Sequence, residues 1–105
     1  MNHYGLHGKL VAKAGMETQL AEILLKASQL VKNAKGCRLY VISKDAAMPY
    51  AVWITEIWDS KEDHDASLQN PEVRTLIGQA VPLLDGPPQK GQELEILGGI
   101  GIAEG

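Results

Sequence analysis

Residues 50–59 have the sequence YAVWITEIWD, and their pattern constrains the architecture more than any other segment. Their β-branched and aromatic side chains predict a strand. A strand whose sheet has one face in water should alternate apolar and polar residues, and this one does not. One face carries Tyr50, Val52, Ile54 and Trp58, and the other carries Ala51, Trp53, Thr55 and Ile57. Both faces of the sheet therefore need cover.

The segments on either side of this strand predict the remaining elements. Residues 4–13 alternate as a strand does, and residues 17–34 place apolar side chains at helical spacing. Residues 37–44 predict a strand that the loop 45–49 joins to 50–59 as an antiparallel hairpin. A capping box at Ser60 starts a short helix to about residue 69, and Asn70-Pro71 starts another that ends at residues 85–88. A last strand is predicted over residues 92–102.

The resulting order, β-α-β-β-α-β, predicts an α+β protein with a ferredoxin-like antiparallel sheet and helices on one face. The helices cover that face, and we expect a second copy of the sheet to cover the other. The product is a homodimer packed sheet to sheet. The alternative is that loops or the C-terminal tail shield the second face. The 105 residues fit one domain, residues 1–105.

Composition limits the kinds of binding partner and the cellular compartment that we expect for this protein. The net charge is −3 and the pI is about 5.5, so nucleic acid and anionic membranes are not expected partners. Apolar stretches are too short for a membrane span, and the N-terminus has no secretory pattern. The single Cys37 forms no internal disulfide, so we expect the cytoplasm. No zinc-type spacing and no phosphate-binding loop occur, so neither a structural zinc site nor a dinucleotide-binding fingerprint is expected.

Three motifs carry a family resemblance that spans nearly the whole chain. Gly36-Cys37-Arg38-Leu39-Tyr40, then Glu56-Ile57-Trp58-Asp59-Ser60, then Asn70-Pro71 stand in the order found in the antibiotic biosynthesis monooxygenase (ABM) domain family. The sequence is most similar there to the small quinol monooxygenases. The resemblance implies a dimeric α/β barrel that oxidises quinols or polycyclic phenols with dioxygen, without flavin, haem or metal.

The sequence departs from this family at one helix position. Many members carry a histidine nine residues after the tryptophan, where this chain has Ser67, and its own histidine is His64. In the haem-degrading branch the helix histidine ligates iron. Ser67 at or next to that place implies that haem is not bound.

His64 and Trp58 are the candidate catalytic residues. On a helix, His64 shares a stripe with Ser60, Ser67 and Leu68, while Asp63 and Asp65 flank that stripe and are expected to face water. The three residues 63–65 cannot converge on one metal ion. An inward imidazole could accept a phenolic proton, and Trp58 could form a flat aromatic wall. The alternatives are a solvated or capping histidine and a tryptophan that only packs.

The candidate substrate-binding residues are His7, Tyr40, Ile54 and Ser67. They are expected to line one pocket between sheet and helices together with His64 and Trp58. His7 lies near glycines that leave space around it, and Tyr40 either bonds a substrate oxygen or packs. Glu56 on an apolar strand face must be paired, exposed or raised in pKa, and we expect a structural pair with Arg38.

These residues lead to one function and to alternatives. We expect a cofactor-independent monooxygenase that takes a small aromatic substrate and dioxygen. The rival is a non-catalytic dimeric binding or stress-response protein on the same fold. A third possibility is a cofactor-free isomerase or lyase.

Overall fold

The computed structural model describes residues 2–102 and places three helices beside a four-stranded antiparallel sheet, so the predicted α+β ferredoxin-like fold is confirmed. The strands are β1 (His3–Val11), β2 (Cys37–Lys44), β3 (Ala51–Trp58) and β4 (Gln92–Ile96). The helices are α1 (Glu17–Val31), α2 (Lys61–Ser67) and α3 (Pro71–Ala80), and a 3-10 turn, Val81–Leu83, follows. The predicted domain, 1–105, also includes residue 1 and residues 103–105, which lie outside the described residues.

The sheet order is β2-β3-β1-β4, so β3, which contains most of residues 50–59, is a central strand. Its neighbours pair with it in register: Glu56 lies opposite Leu6 of β1 and opposite Tyr40 of β2. Side chains of one strand alternate between faces. We call the face with Val52, Ile54, Glu56 and Trp58 the helix face, and the face with Trp53, Thr55 and Ile57 the open face.

The helix starts follow the sequence, whereas several element ends do not: α3, for example, ends at Ala80 rather than at residues 85–88. Ser60 accepts a hydrogen bond from the Asp63 amide at 3.1 Å, and Asn70 accepts one from the Glu72 amide at 2.9 Å, as predicted caps do. The first helix ends at Val31 rather than 34, because the Ala34 amide closes a tighter turn onto the Val31 carbonyl.

The last strand is shorter than predicted. It ends at Ile96 rather than at residue 102. Ile96 pairs with His3, which is the first residue of β1, so the ladder has no further partner. Gly98, Gly99 and Gly101 then adopt positive φ values of 154°, 142° and 95°, which a regular strand does not use.

The core lies between the helix face and the helices. One cluster joins Leu20 and Leu24 of α1 to Val52, and a second joins Val31 and Val73 to Trp58. Trp58, Leu20 and Val52 are fully buried. Among residues 2–102, no helix has the length and apolarity to cross a membrane.

Candidate active site

A cavity of about 410 Å³ lies between the helix face and the three helices. Its walls are mostly aliphatic side chains from β1, β3, α1 and α3. The polar side chains on its walls are Tyr40, Glu56, His64, Ser67 and Gln89. An apolar cavity of roughly 300–1,000 Å³ with a few convergent polar groups is typical of a small-molecule site.

Helix α2 brings His64 to this cavity, and a glycine fixes where the helix lies. Gly36, just before β2, has a φ of 81°, and a Cβ there would overlap the carboxylate of Asp63. Its carbonyl also accepts a hydrogen bond from the Asp59 amide at 2.8 Å. Because Gly36 has no side chain, the first turn of α2 can approach the β2 end of the sheet closely.

The imidazole of His64 lies between two carboxyl groups. Its Nδ1 is 2.9 Å from Asp65 Oδ1, and its Nε2 is 3.8 Å from Glu56 Oε1. A carboxylate at Nδ1 favours the tautomer with the proton on that nitrogen, which leaves Nε2 as the proton acceptor. Asp65 faces water, as expected, but its side chain also folds back onto the neighbouring His64 ring.

Glu56 is a buried carboxyl group with only 8% of its surface exposed. The indole N–H of Trp58 donates to its Oε1 at 2.9 Å. Burial raises the pKa of Glu56, and the Trp58 hydrogen bond and His64 only partly oppose this rise. In place of the expected pair with Glu56, Arg38 forms an ion pair with Asp59.

Trp58 does not form the cavity wall that the sequence suggested. It is 0% exposed and packs against Val31 and Val73 behind Glu56. Its ring meets His64 edge-on, with centroids 5.8 Å apart. Its contacts therefore hold Glu56 and His64 in place, whereas substrate stacking on its face would require the core to open.

Tyr40, Ile54 and Ser67 line the cavity together with His64. Burial and the negative charge of Glu56 raise the pKa of Tyr40, so its hydroxyl keeps its proton and can donate to a ligand. Ser67 Oγ donates to the His64 carbonyl at 2.6 Å within α2. Their role in binding a substrate remains a prediction.

His7 is on the other side of the sheet, so the expectation that it lines one pocket with His64 is wrong. It pairs with Thr55 on the open face, and its Nδ1 is 3.0 Å from Thr55 Oγ1. Its ring stacks on Trp53 with centroids 4.7 Å apart. Trp53 in turn donates to Asp45 at 2.9 Å. The alternation of β1 separates His7 from Leu6, but only the pairing register shows which of them faces the helices.

Two features of the cavity were missed from the sequence. The segment after α3 contributes Pro88 and Gln89 to the walls, and no local pattern in a glycine- and proline-rich loop signals this. Glu56 does give a signal, a carboxylate on an apolar face, but that signal also fits the structural role that is expected from the sequence. Within residues 2–102, no three His, Cys, Asp or Glu side chains are grouped to hold a metal ion.

A family model described as antibiotic biosynthesis monooxygenase matches residues 4–79. This match includes the sheet strands β1 to β3 and the helix that carries His64. No curated protein matches the sequence.

Solved structures agree with this match over nearly the full length. A Chloroflexus aurantiacus protein, named as a proposed antibiotic biosynthesis monooxygenase, is 39% identical, with a TM-score of 0.86 over 96% of this chain and 99% of that one. A Deinococcus radiodurans protein named in the same way is 26% identical, with a TM-score of 0.73 over 96% and 97%. A Nitrosomonas europaea protein of unknown function is 25% identical, with a TM-score of 0.81 over 99% and 98%.

Proposed function

The chain belongs to the antibiotic biosynthesis monooxygenase family, and from this membership we propose a cofactor-independent monooxygenase that oxidises a quinol or polycyclic phenol with dioxygen. The observation that supports the proposal best is the convergence of His64 and Glu56 on a largely apolar cavity. Aliphatic walls suit a flat aromatic ring, and a hydroxyl of that ring needs a base beside it. His64 supplies that base, with Asp65 orienting the ring.

The chemistry balances without a further reactant. His64 Nε2 takes a phenolic proton, and the electron-rich anion passes one electron to dioxygen. The two radicals join through a new carbon–oxygen bond to give a peroxide. The ring C–H proton then leaves, the O–O bond breaks, and a carbonyl and water form. Quinol plus dioxygen thus gives hydroxyquinone plus water, with the ring oxidised and dioxygen reduced.

The remaining cavity residues have roles in binding. Tyr40, which keeps its proton, donates to a second oxygen of the substrate. Ile54 and the aliphatic residues of α1 and α3 contact the ring faces. Ser67 marks the end of the cavity nearest α2. Trp58 acts indirectly, because it donates to Glu56 and contacts His64 without reaching the cavity surface.

Oxygen uptake with a panel of reduced naphthoquinols tests the proposal. The protein should raise the rate above spontaneous autoxidation, and labelled dioxygen should leave one labelled atom in the hydroxyquinone. His64→Ala should lower kcat by about 10²–10⁴-fold, the usual contribution of a positioned general base. Glu62→Ala, an exposed position on the same helix, is the matched control and should keep the rate.

The same panel separates the oxygenase from its rivals. Saturable binding of a quinol or quinone without added oxygen uptake would favour a binding protein and contradict the oxygenase. Conversion of a substrate without oxygen consumption would favour an isomerase or lyase. The predicted location in the cytoplasm is tested separately by cell fractionation.

The protein is further proposed to act as a homodimer through the open face. That face exposes apolar side chains, with Val41 at 44% and Leu94 at 45% exposure, and Trp53 lies among them. Two such faces in contact would remove this apolar area from water. Because the cavity opens on the helix face, each copy would keep its own site.

Sedimentation or light scattering at micromolar concentration tests the dimer. The wild type should be dimeric, and Val41→Glu should be monomeric because it places a charge in the contact. Leu25→Glu is the matched control, since Leu25 is 52% exposed on α1, away from the open face, and this variant should stay dimeric. A monomeric wild type would refute sheet-to-sheet assembly.

A further inference from the structure

Glu56 is the one buried charged side chain among the described residues, and the proposed oxidation requires more than a single base. Two protons must leave the substrate, one from a hydroxyl and one from the ring carbon. Both must reach the same oxygen atom, which departs as water. His64 can carry one of them, so a second proton carrier is needed next to it.

We infer that Glu56 is this second carrier: it starts as the neutral acid, protonates the peroxide oxygen, and is restored by the phenolic proton that His64 holds. The ring C–H proton then passes to His64 as the O–O bond breaks, the departing oxygen takes its second proton from Glu56, and His64 restores Glu56 again. The inference rests on the proposed function. Glu56 Oε1 lies 3.8 Å from His64 Nε2, a gap that a small movement or one water molecule closes. It lines the cavity, so its carboxyl group can touch a bound reactant.

The surroundings of Glu56 suit a group that changes charge during a reaction. The Trp58 indole is a fixed donor to the carboxyl group and stabilises the carboxylate after the proton has left. Before the proton leaves, the buried position favours the neutral acid, which is why the pKa of Glu56 is raised. Because these two effects oppose each other, Glu56 can change between the neutral acid and the carboxylate during the reaction.

A second, smaller cavity also borders Glu56. It has a volume of about 110 Å³ and adjoins the large one, with Ile54, Glu56 and Gln89 lining both. It lies where Gly8 passes Gly91 so closely that a Cβ on Gly8 would be 2.9 Å from the Gly91 Cα. This space offers dioxygen or water a place next to the proposed proton donor.

Glu56→Gln tests the inference, because glutamine has the same shape, can still accept from Trp58, and carries no transferable proton. Quinol oxidation should then become uncoupled: kcat for hydroxyquinone should fall by about 10²–10⁴-fold, and the oxygen consumed should appear as hydrogen peroxide and simple quinone. Quinol plus dioxygen gives quinone plus peroxide in that balance. Glu62→Gln makes the same change at an exposed position of α2 and should remain coupled.

The pH profile provides a second readout. Wild-type kcat should fall as pH rises through the raised pKa of Glu56, since the acid form is consumed, and Glu56→Gln should lack this decline. The other titratable groups that face or sense Glu56 are His64, Tyr40, Cys37 and Tyr4. Because the pKa values of Tyr40, Cys37 and Tyr4 are themselves raised, they stay neutral over the range concerned.

Infrared difference spectra give a measurement that needs no turnover. The wild type should keep a protonated-carboxyl band to higher pH than its exposed carboxyl groups do, and Glu56→Gln should lack that band. The inference is refuted if the wild type is active and Glu56→Gln still couples oxygen consumption to hydroxyquinone formation and still shows the decline in kcat with pH. It is also refuted if the wild type lacks the band. In both cases the proposed oxygenase activity is unaffected. If the wild type consumes no oxygen with any quinol, the proposed function fails and the inference fails with it.

Discussion

On each face of the sheet an indole N–H donates to a carboxylate at 2.9 Å, Trp58 to Glu56 on the helix face and Trp53 to Asp45 on the open face. The pKa values of the two acids nevertheless shift in opposite directions. Burial raises that of Glu56, whereas the Trp53 hydrogen bond and backbone donors lower that of Asp45, which the helices do not cover. The hydrogen bond is the same, so the cover provided by the helices decides the chemistry.

The histidines follow the same division. His64, which α2 carries, lies against Glu56, and its second nitrogen contacts Asp65. His7 stacks flat on Trp53 and contacts a threonine hydroxyl. An imidazole beside a buried acid and a cavity is suited to proton transfer, and one stacked on an uncovered sheet face is suited to packing.

Truncating the two tryptophans tests this comparison most strongly. Trp58→Ala should lower the free energy of unfolding by about 3–5 kcal/mol, because it empties a fully buried site. Trp53→Ala should cost about 1–3 kcal/mol, from one stacking contact and one hydrogen bond. Urea denaturation of both variants measures the costs.

Protein concentration sharpens that result. If the open face pairs with a second copy, the loss in Trp53→Ala should depend on protein concentration, and the loss in Trp58→Ala should be the larger at every concentration. Equal losses that do not vary with concentration would contradict the assignment of one tryptophan to the core and the other to an interface.

Neutralising the two aspartates should have a smaller effect, and on activity rather than stability. Asp65→Asn removes the carboxylate that orients His64, so kcat should fall by at most about 100-fold, the low end of a general base's contribution. Asp45→Asn alters only the open face and should leave kcat unchanged. Steady-state oxygen uptake compares them, and an equal loss in both variants would show that the faces are not separate.

The smallest expected effect concerns stability: the contributions of Glu56 and Asp45 to the free energy of unfolding should change with pH in opposite directions. Glu56 contributes stability that is present below its unfolded pKa of about 4.3 and is lost as pH rises through its raised folded pKa. Asp45 contributes stability that is present above its unfolded pKa of about 3.9 and is lost as pH falls through its lowered folded pKa.

Denaturation at a series of pH values, with Glu56→Gln and Asp45→Asn as references, measures the two terms. As pH rises, the free energy of unfolding of the wild type relative to Glu56→Gln should decrease. Relative to Asp45→Asn, it should increase as pH rises through the acid range. The same sign for both would mean that burial does not separate the two carboxyl groups.

Strand and helix positions could be predicted because they depend on local patterns. The strand Cys37–Lys44 and the caps at Ser60 and Asn70 lie where the sequence placed them. Hydrophobic periodicity and capping residues act within a few neighbours along the chain, so they are visible without any tertiary information.

The composition of the site could be predicted only in part. Which face of β1 meets the helices depends on its register with β3, and this placed Leu6 rather than His7 at the cavity. The contact of the Asp65 carboxylate with the His64 ring depends on the rotamer of the Asp65 side chain, which helix spacing does not specify. The burial of Trp58 behind Glu56 results from three helices packing together, which no short motif describes.

The position of one tryptophan on each face of a single strand has a practical consequence. The chain contains two tryptophans, so replacing either one leaves a protein with a single intrinsic indole fluorophore. Emission from Trp58 would report on the sealed interior behind the cavity, and emission from Trp53 would report on what covers the open face, which is a second copy if the proposed dimer forms. Changes on the two faces could therefore be followed as separate optical signals, without attaching a dye.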